Sequence, residues 1–318
     1  MATHTTLKGF DHWGDSLLSE QLETNLVSFF NWGLLGKGAF FNVNIPASGA
    51  YGGLQHRLRL VDDPNYEDGQ IWEGFRQDWV WESGVEYDYQ PIQISGVFVN
   101  GGFHNISETG SYAHHINYPL GRVVFDTAIA ASSLVTCEFS YRAVHFTTAD
   151  VPWWREVQKN SFRVDDQFLT TSSGNWDILA QNRIQLPAVI IEAVPQTQRT
   201  PFQVGDLTAI VNQDVLFHVV SETPWERKHI HDIITYQWHK RIQGFDRNLL
   251  LEEDAFPLDY RGMPVSGAIQ YPDLVKATGD GGFYWNQIRF EQMRSVEQNI
   301  FSPLYYCTVR GTFGVDLP

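Results

Sequence analysis

An Asn-Gly pair between two apolar runs, in the stretch IQISGVFVNGGFH (residues 92–104), constrains this chain more than any other local feature. A two-residue hairpin turn needs positive φ at both central positions, which Asn and Gly tolerate at little cost, so Asn100 and Gly101 commit their flanks to antiparallel strands. A second hairpin follows in HHINYPLGRVVFD, where Pro119 and Gly121 supply a fixed and a permissive φ. The stretch SLVTCEFSYRAVHFTTAD then reads as a long strand ending near Asp150. In such a hairpin His114 and His115 point to opposite faces, so the adjacent pair is architecture rather than a shared metal or acid–base site.

The segments on either side follow a different pattern. Asp15 can cap a helix running to about Trp32, with Leu18, Leu22, Leu26 and Phe29 on one face and Gly33 as its stop. KGAFFNVNIP and GLQHRLRLV read as strands, and an acidic loop region with three tryptophans occupies Val61–Asp88. Past a linker or short helix at VPWWREVQKNSF, LPAVIIEAVP and DLTAIVNQDVLFHVVSE read as strands. A helix opens at Thr223-Pro224-Trp225-Glu226, with an N-cap, a first-turn proline and a capping-box carboxylate, and is expected to end at about Gln243, before Gly244. FYWNQIRFEQM and PLYYCTVRGTFGV close the chain as strands. The expected fold class is therefore α+β: an antiparallel sheet with a flanking helix, plus an inserted small all-β hairpin unit. The expected divisions are 1–89 as helix and strands of the main body, 90–150 as a separable β unit, and 151–318 as the sheet domain with its helix at about 224–243.

Charge narrows the partners. The net charge is −15, with 7 Lys/Arg against 17 Asp/Glu in residues 1–150 and 15 against 20 in residues 151–318. Such a balance argues against gripping nucleic acid through its phosphates, but suits a surface or lumen that DNA slides past. MATHTTLKGFDHWGD lacks the apolar run of a secretion signal, and NLVSFFNWGLLGKGAFFNV is too broken to span a bilayer, so neither export nor a membrane is expected. Cys137 and Cys307 each sit in a strand-like run and read as buried, reduced thiols.

Motifs for chemistry are scarce. His229, His231 and His239 lack the i, i+4 spacing of helical zinc ligands. In the acidic loop at residues 61–69, counting from Asp63, the glycine place of a calcium loop holds Asp68 and the bidentate glutamate place holds Gly74. A non-standard calcium loop and a solvated acidic turn both stay open there. Neither a nucleophile elbow nor a phosphate-binding loop occurs. No catalytic, cofactor or metal residues are assigned. Trp72, Trp79, Trp81, Trp153, Trp154 and Arg155 are the candidate interface anchors, because Trp and Arg concentrate at buried contacts and Arg outnumbers Lys here 16 to 6. Trp79 with Trp81, and Trp153 with Trp154, can instead stack on sugar rings, and core packing is the plain alternative.

Two stretches resemble virion proteins of tailed bacteriophages. GRVVFDTAIAASSLVTCEFSYR is similar to a small β unit with a G-x-V-x-F start that recurs in such proteins. LPAVIIEAVPQTQRTPFQVGDLTAIVNQDVLFHVVSETPWERKHIHDII is similar to the core of neck and tail-completion proteins, tail terminators and head–tail connectors among them. The resemblance covers roughly residues 90–145 and 185–245. It implies a structural protein without enzymatic activity, assembled in the host cytoplasm into a hexameric or dodecameric ring and located in the virion beside other neck or tail proteins. The other readings are another virion part (baseplate, sheath-associated or fibre-attachment protein), a carbohydrate-binding β module, and a hydrolase with an unrecognised acidic site.

Overall fold

The structure, a computed structural model, describes residues 15–48, 53–151, 153–154, 185–201, 209–252, 255–271, 273–274, 287–301 and 304–317. Its class is α+β, with antiparallel strands in several sheets and helices on one of them.

Helix α1, Asp15–Leu35, leads into β1 (Phe40–Val43), β2 (Arg59–Leu60) and β3 (Ile71–Glu73). Leu18, Leu22, Leu26 and Phe30 form its buried stripe, spaced at helical intervals, with Phe29 packed beside them. The helix passes Gly33, where an added Cβ would meet nothing within 4 Å, and ends at Leu35, with Gly38 turning the chain at a φ of 75°. The buried Leu35 depends on that extra turn.

The hairpin region comprises β4 (Gly96–Val99), β5 (Gly102–Asn105), β6 (His114–Asn117), β7 (Arg122–Phe125), β8 (Val135–Thr136), β9 (Phe139–Arg142) and β10 (His145–Thr148). Asn100 at φ 50° and Gly101 at φ 85° make the β4–β5 turn, as the Asn-Gly signal requires. β6 and β7 pair with His114 opposite Phe125; His114 is buried and His115 half-buried on the other face. Burial pushes both imidazoles below their usual range, and neither shares a ligand position with the other.

This region is not closed on itself. β9 pairs with β1, and β7 pairs with β3, so strands from before residue 90 complete its sheets. The sheets run β2-β3-β7-β6, β5-β4-β8 and β1-β9 around one core of Trp72, Phe75, Trp79, Val97, Ile116, Phe125, Val135 and Phe139, among others. β10 runs parallel to β11 and belongs to the other sheet. The expected boundary at residue 90 is therefore corrected: local hairpins seed the region, but non-local pairing with residues 40–73 completes it.

The second body is a six-stranded sheet in the order β10-β11-β12-β15-β14-β13, built from β11 (Ala188–Pro201), β12 (Ala209–Ser221), β13 (Arg241–Ile242), β14 (Ile288–Phe301) and β15 (Leu304–Leu317). Alternation sorts its faces. Val211, Val215, Phe217 and Val219 of β12 join Val309, Phe313 and Val315 of β15 under α1 and α2 (Pro224–Thr235), whose Ile230 and Ile234 point inward. Val220, Ala188, Ile190 and Leu304 face the opposite side, under Trp154.

The start of α2 follows its cap chemistry: the Thr223 hydroxyl accepts the Glu226 N–H, with Pro224 in the first turn. Its end comes at Thr235, not near residue 243. His239 adopts a φ of 63° and donates its N–H to the Phe290 carbonyl, turning the chain into β13. A short helix α3 (Arg247–Glu252) follows, tied to α1 through the buried Asn25, which accepts the Phe245 N–H and donates to its carbonyl.

Candidate functional site

Most of the expected interface tryptophans are core residues. Trp79 is 1% exposed, stacks on Phe139 at 4.2 Å and donates its indole N–H to the Arg76 carbonyl. Trp72 is 3% exposed and donates to the Gly69 carbonyl. Trp154, also 3% exposed, lies against His218 and Tyr306. Trp81 and Trp153 are half-buried against these same cores. Arg155 lies outside the described residues. The anchor assignment for Trp72, Trp79 and Trp154 is corrected accordingly: each finds a local carbonyl or aromatic partner inside its own chain. The sugar-stacking reading built on the Trp79–Trp81 and Trp153–Trp154 pairs loses its platform with them.

Several aromatics are exposed elsewhere, Tyr260 most of all at 91%, and three of them lie on and just beyond α2. Tyr236 is 83% exposed, Trp225 67% and Trp238 57%. Trp225, His229, Asp232 and Tyr236 recur at helical spacing on the face opposite Ile230 and Ile234. Trp225 packs on His229 with ring centroids 4.2 Å apart, and Trp238 on His239 at 4.0 Å. Between α2 and α1 runs a groove of about 640 Å³, floored by Phe29, Phe30, Leu34 and Ile233 and rimmed by Lys37 and Lys240. The Lys240 ammonium sits 5.1 Å from the Phe29 ring centre, a cation–π arrangement that holds a charge at the rim. None of the anchors expected from the sequence lies on this helix face. The signal that marks it is the spacing of Trp225, His229 and Tyr236 away from the buried isoleucines.

Two polar networks were also invisible in the sequence. Arg142 on β9 donates to Asp78 (2.9 Å) and to both oxygens of Glu82 (2.7 and 2.9 Å), while His145 meets the second Asp78 oxygen at 2.9 Å. Across the six-stranded sheet, the His218 imidazole bridges Glu192 (2.8 Å) and the Tyr306 hydroxyl (2.6 Å), and Thr308 donates to Tyr306 (2.7 Å). The hydrogen bond with His218 holds the Glu192 carboxyl below its usual range. Trp154 packs on the buried His218 ring while Glu192 stays partly exposed, and the network ties β11, β12 and β15 together.

The acidic loop between β2 and β3 holds its own shape. The Asp63 carboxylate accepts the Asn65 backbone N–H (3.1 Å) and side-chain amide (3.0 Å) and lies 3.7 Å from Arg122. Gly69, at φ 99°, sits so close under the Ile129 carbonyl that a side chain there would collide with it. Asp62, Glu67 and Asp68 face solvent. Among the described residues no three His, Cys, Asp or Glu side chains are grouped to hold a metal, and His229, His231 and His239 each find separate neighbours. Both cysteines are free and buried; burial raises the Cys307 thiol to about 11, and the Cys137 thiol is raised further.

A second cleft, of about 1000 Å³, lies between Trp32 of α1, Gly36 just past its end, residues 83–86, residues 268–271 and Asp273. Gln270 laces it by accepting the Gly84 N–H and donating to the Ser83 hydroxyl. Among the described residues no helix is long and apolar enough to cross a membrane. Comparison with models of known protein families returned no match, and a search of curated proteins returned none either.

Proposed function

We propose that the chain is a structural virion protein of a tailed phage, a ring-forming neck or tail-completion subunit that joins head and tail, acting by assembly rather than catalysis. The observation that carries this reading is the aromatic face of α2. Trp225 on α2, and Tyr236 and Trp238 just past its end, stand in water beside an apolar groove, as expected of a surface that another protein covers. The sequence resemblance of residues 185–245 to neck and tail-completion proteins includes this helix, which supports reading its face as a ring contact.

Charge is consistent with the same role. An acidic subunit, at −15, would line a passage that DNA crosses without sticking. Partners are then further copies of the chain, in a hexameric or dodecameric ring, and adjoining neck or tail proteins in the virion. Negative-stain images of the purified full chain test the reading. Closed rings of uniform size are expected; single compact particles at every concentration would contradict it.

A further inference from the structure

We infer that the groove between α1 and α2 docks the acidic β2–β3 loop of a second copy of this chain, so that one ring contact pairs these two unlike surfaces. The inference rests on the ring reading above and names the contact that reading requires.

The groove specifies its occupant. Its floor is apolar, and its lining carries two cations, Lys37 and Lys240, against one carboxylate, Asp232. Residues 224–241 contain four Lys/Arg against two Asp/Glu in a chain whose net charge is −15. A covering segment should therefore bring carboxylates together with an aromatic or apolar group.

The chain carries such a segment at Asp62–Asp68. Asp62, Glu67 and Asp68 are exposed with Tyr66 among them, and no Lys or Arg interrupts the run. The Asp63 turn and the reciprocal Glu67–Gln70 bonds hold the loop in shape, so little ordering is lost on docking. Loop and groove sit on different sheets, the loop on β2-β3-β7-β6 and the groove over the six-stranded sheet. A contact between unlike patches is head-to-tail, which closes into a ring when the rotation between copies is fixed. It also sets opposite charges together where two acidic subunits would otherwise repel.

Edges of the six-stranded sheet that are unpaired among the described residues fit this role less well. The β14–β15 pairing is bulged at Phe290/Gln292 and Ser295/Glu297, and the β11–β12 pairing at Ala193/Thr197. The Glu23 carboxylate takes the outward Ala193 N–H. Bulges and charges of this kind blunt an edge against strand addition.

The test is a charge swap in the full chain, read by light-scattering mass with circular dichroism. One variant carries Lys37→Glu and Lys240→Glu; a second carries Asp62→Lys, Glu67→Lys and Asp68→Lys; a third carries both sets. All five side chains are exposed, so the folded spectrum should persist. Each one-sided variant is expected to need at least ~10-fold more protein to assemble, and the two-sided variant to recover the wild-type mass. Tyr236→Ala, which removes an exposed aromatic of the groove lining and leaves every charge in place, is expected to weaken assembly alike. One-sided variants that assemble as well as wild type would overturn this contact while leaving the ring reading intact. A wild-type chain that never assembles would overturn both. A labelled single-stranded oligonucleotide supplies the last arm: tight binding that Tyr236→Ala abolishes without changing the mass would assign the face to nucleic acid and sink the proposal.

Discussion

Arg142 is enclosed by two carboxylates, and one of its terminal nitrogens has no partner among the described residues. Burial disfavours its charge, but Glu82 and Asp78 outweigh that and hold the guanidinium ionised. Replacing Arg142 by Leu would leave the buried Glu82 carboxylate without its cation and Asp78 with His145 alone, and a loss of about 3–5 kcal/mol is expected in chemical denaturation. For Asp78, burial would raise the carboxyl, yet the Arg142 charge and the His145 hydrogen bond prevail and keep it below its usual value. A depressed folded value means the unfolded chain binds the proton more tightly. The contribution is therefore complete above the ordinary Asp value of about 3.9 and is lost as pH falls through the lower folded value. Thermal melts should show wild type losing more stability on acidification below about pH 4 than Asp78→Asn does. Equal losses would mean that another group governs the acid limb. None of this cluster was legible beforehand, because residues 78, 82, 142 and 145 meet only once β9 has paired with β1 and the 78–82 segment has closed over it.

Elements were legible where their determinants are local. Asn100-Gly101 sets its hairpin within four residues, and Thr223, Pro224 and Glu226 set the start of α2 within one turn. Thr223→Ala should cost about 1 kcal/mol, measured by chemical denaturation, because the Glu226 N–H loses its acceptor. The end of α2 was misplaced because it depends on a distant strand: the Phe290 carbonyl on β14 takes the His239 N–H. The tryptophans failed for a related reason. Their number was informative, but whether Trp79 meets Phe139 or solvent is a question about a strand far along the chain. The face of Trp225 and Tyr236 needed no such knowledge, since Ile230 and Ile234 already fix which side of the helix is buried.

At the scale of the molecule, residues 90–150 cannot be a removable insertion. β7 and β9 complete sheets begun by β3 and β1, and β10 edges the six-stranded sheet beside β11. Replacing that span with a short linker is expected to strip Trp72, Phe75 and Trp79 of their partners and to abolish the single cooperative unfolding transition; a sharp transition in the deleted chain would restore the independent-unit view. The central claim concerns what the intact chain becomes in solution. Its most direct test is the light-scattering mass of the purified full-length protein across a concentration series. A ring subunit predicts a mass that is a fixed multiple of the 36.4 kDa chain, corresponding to a hexamer or dodecamer and constant over the upper range. A mass of one chain throughout that range would contradict the account.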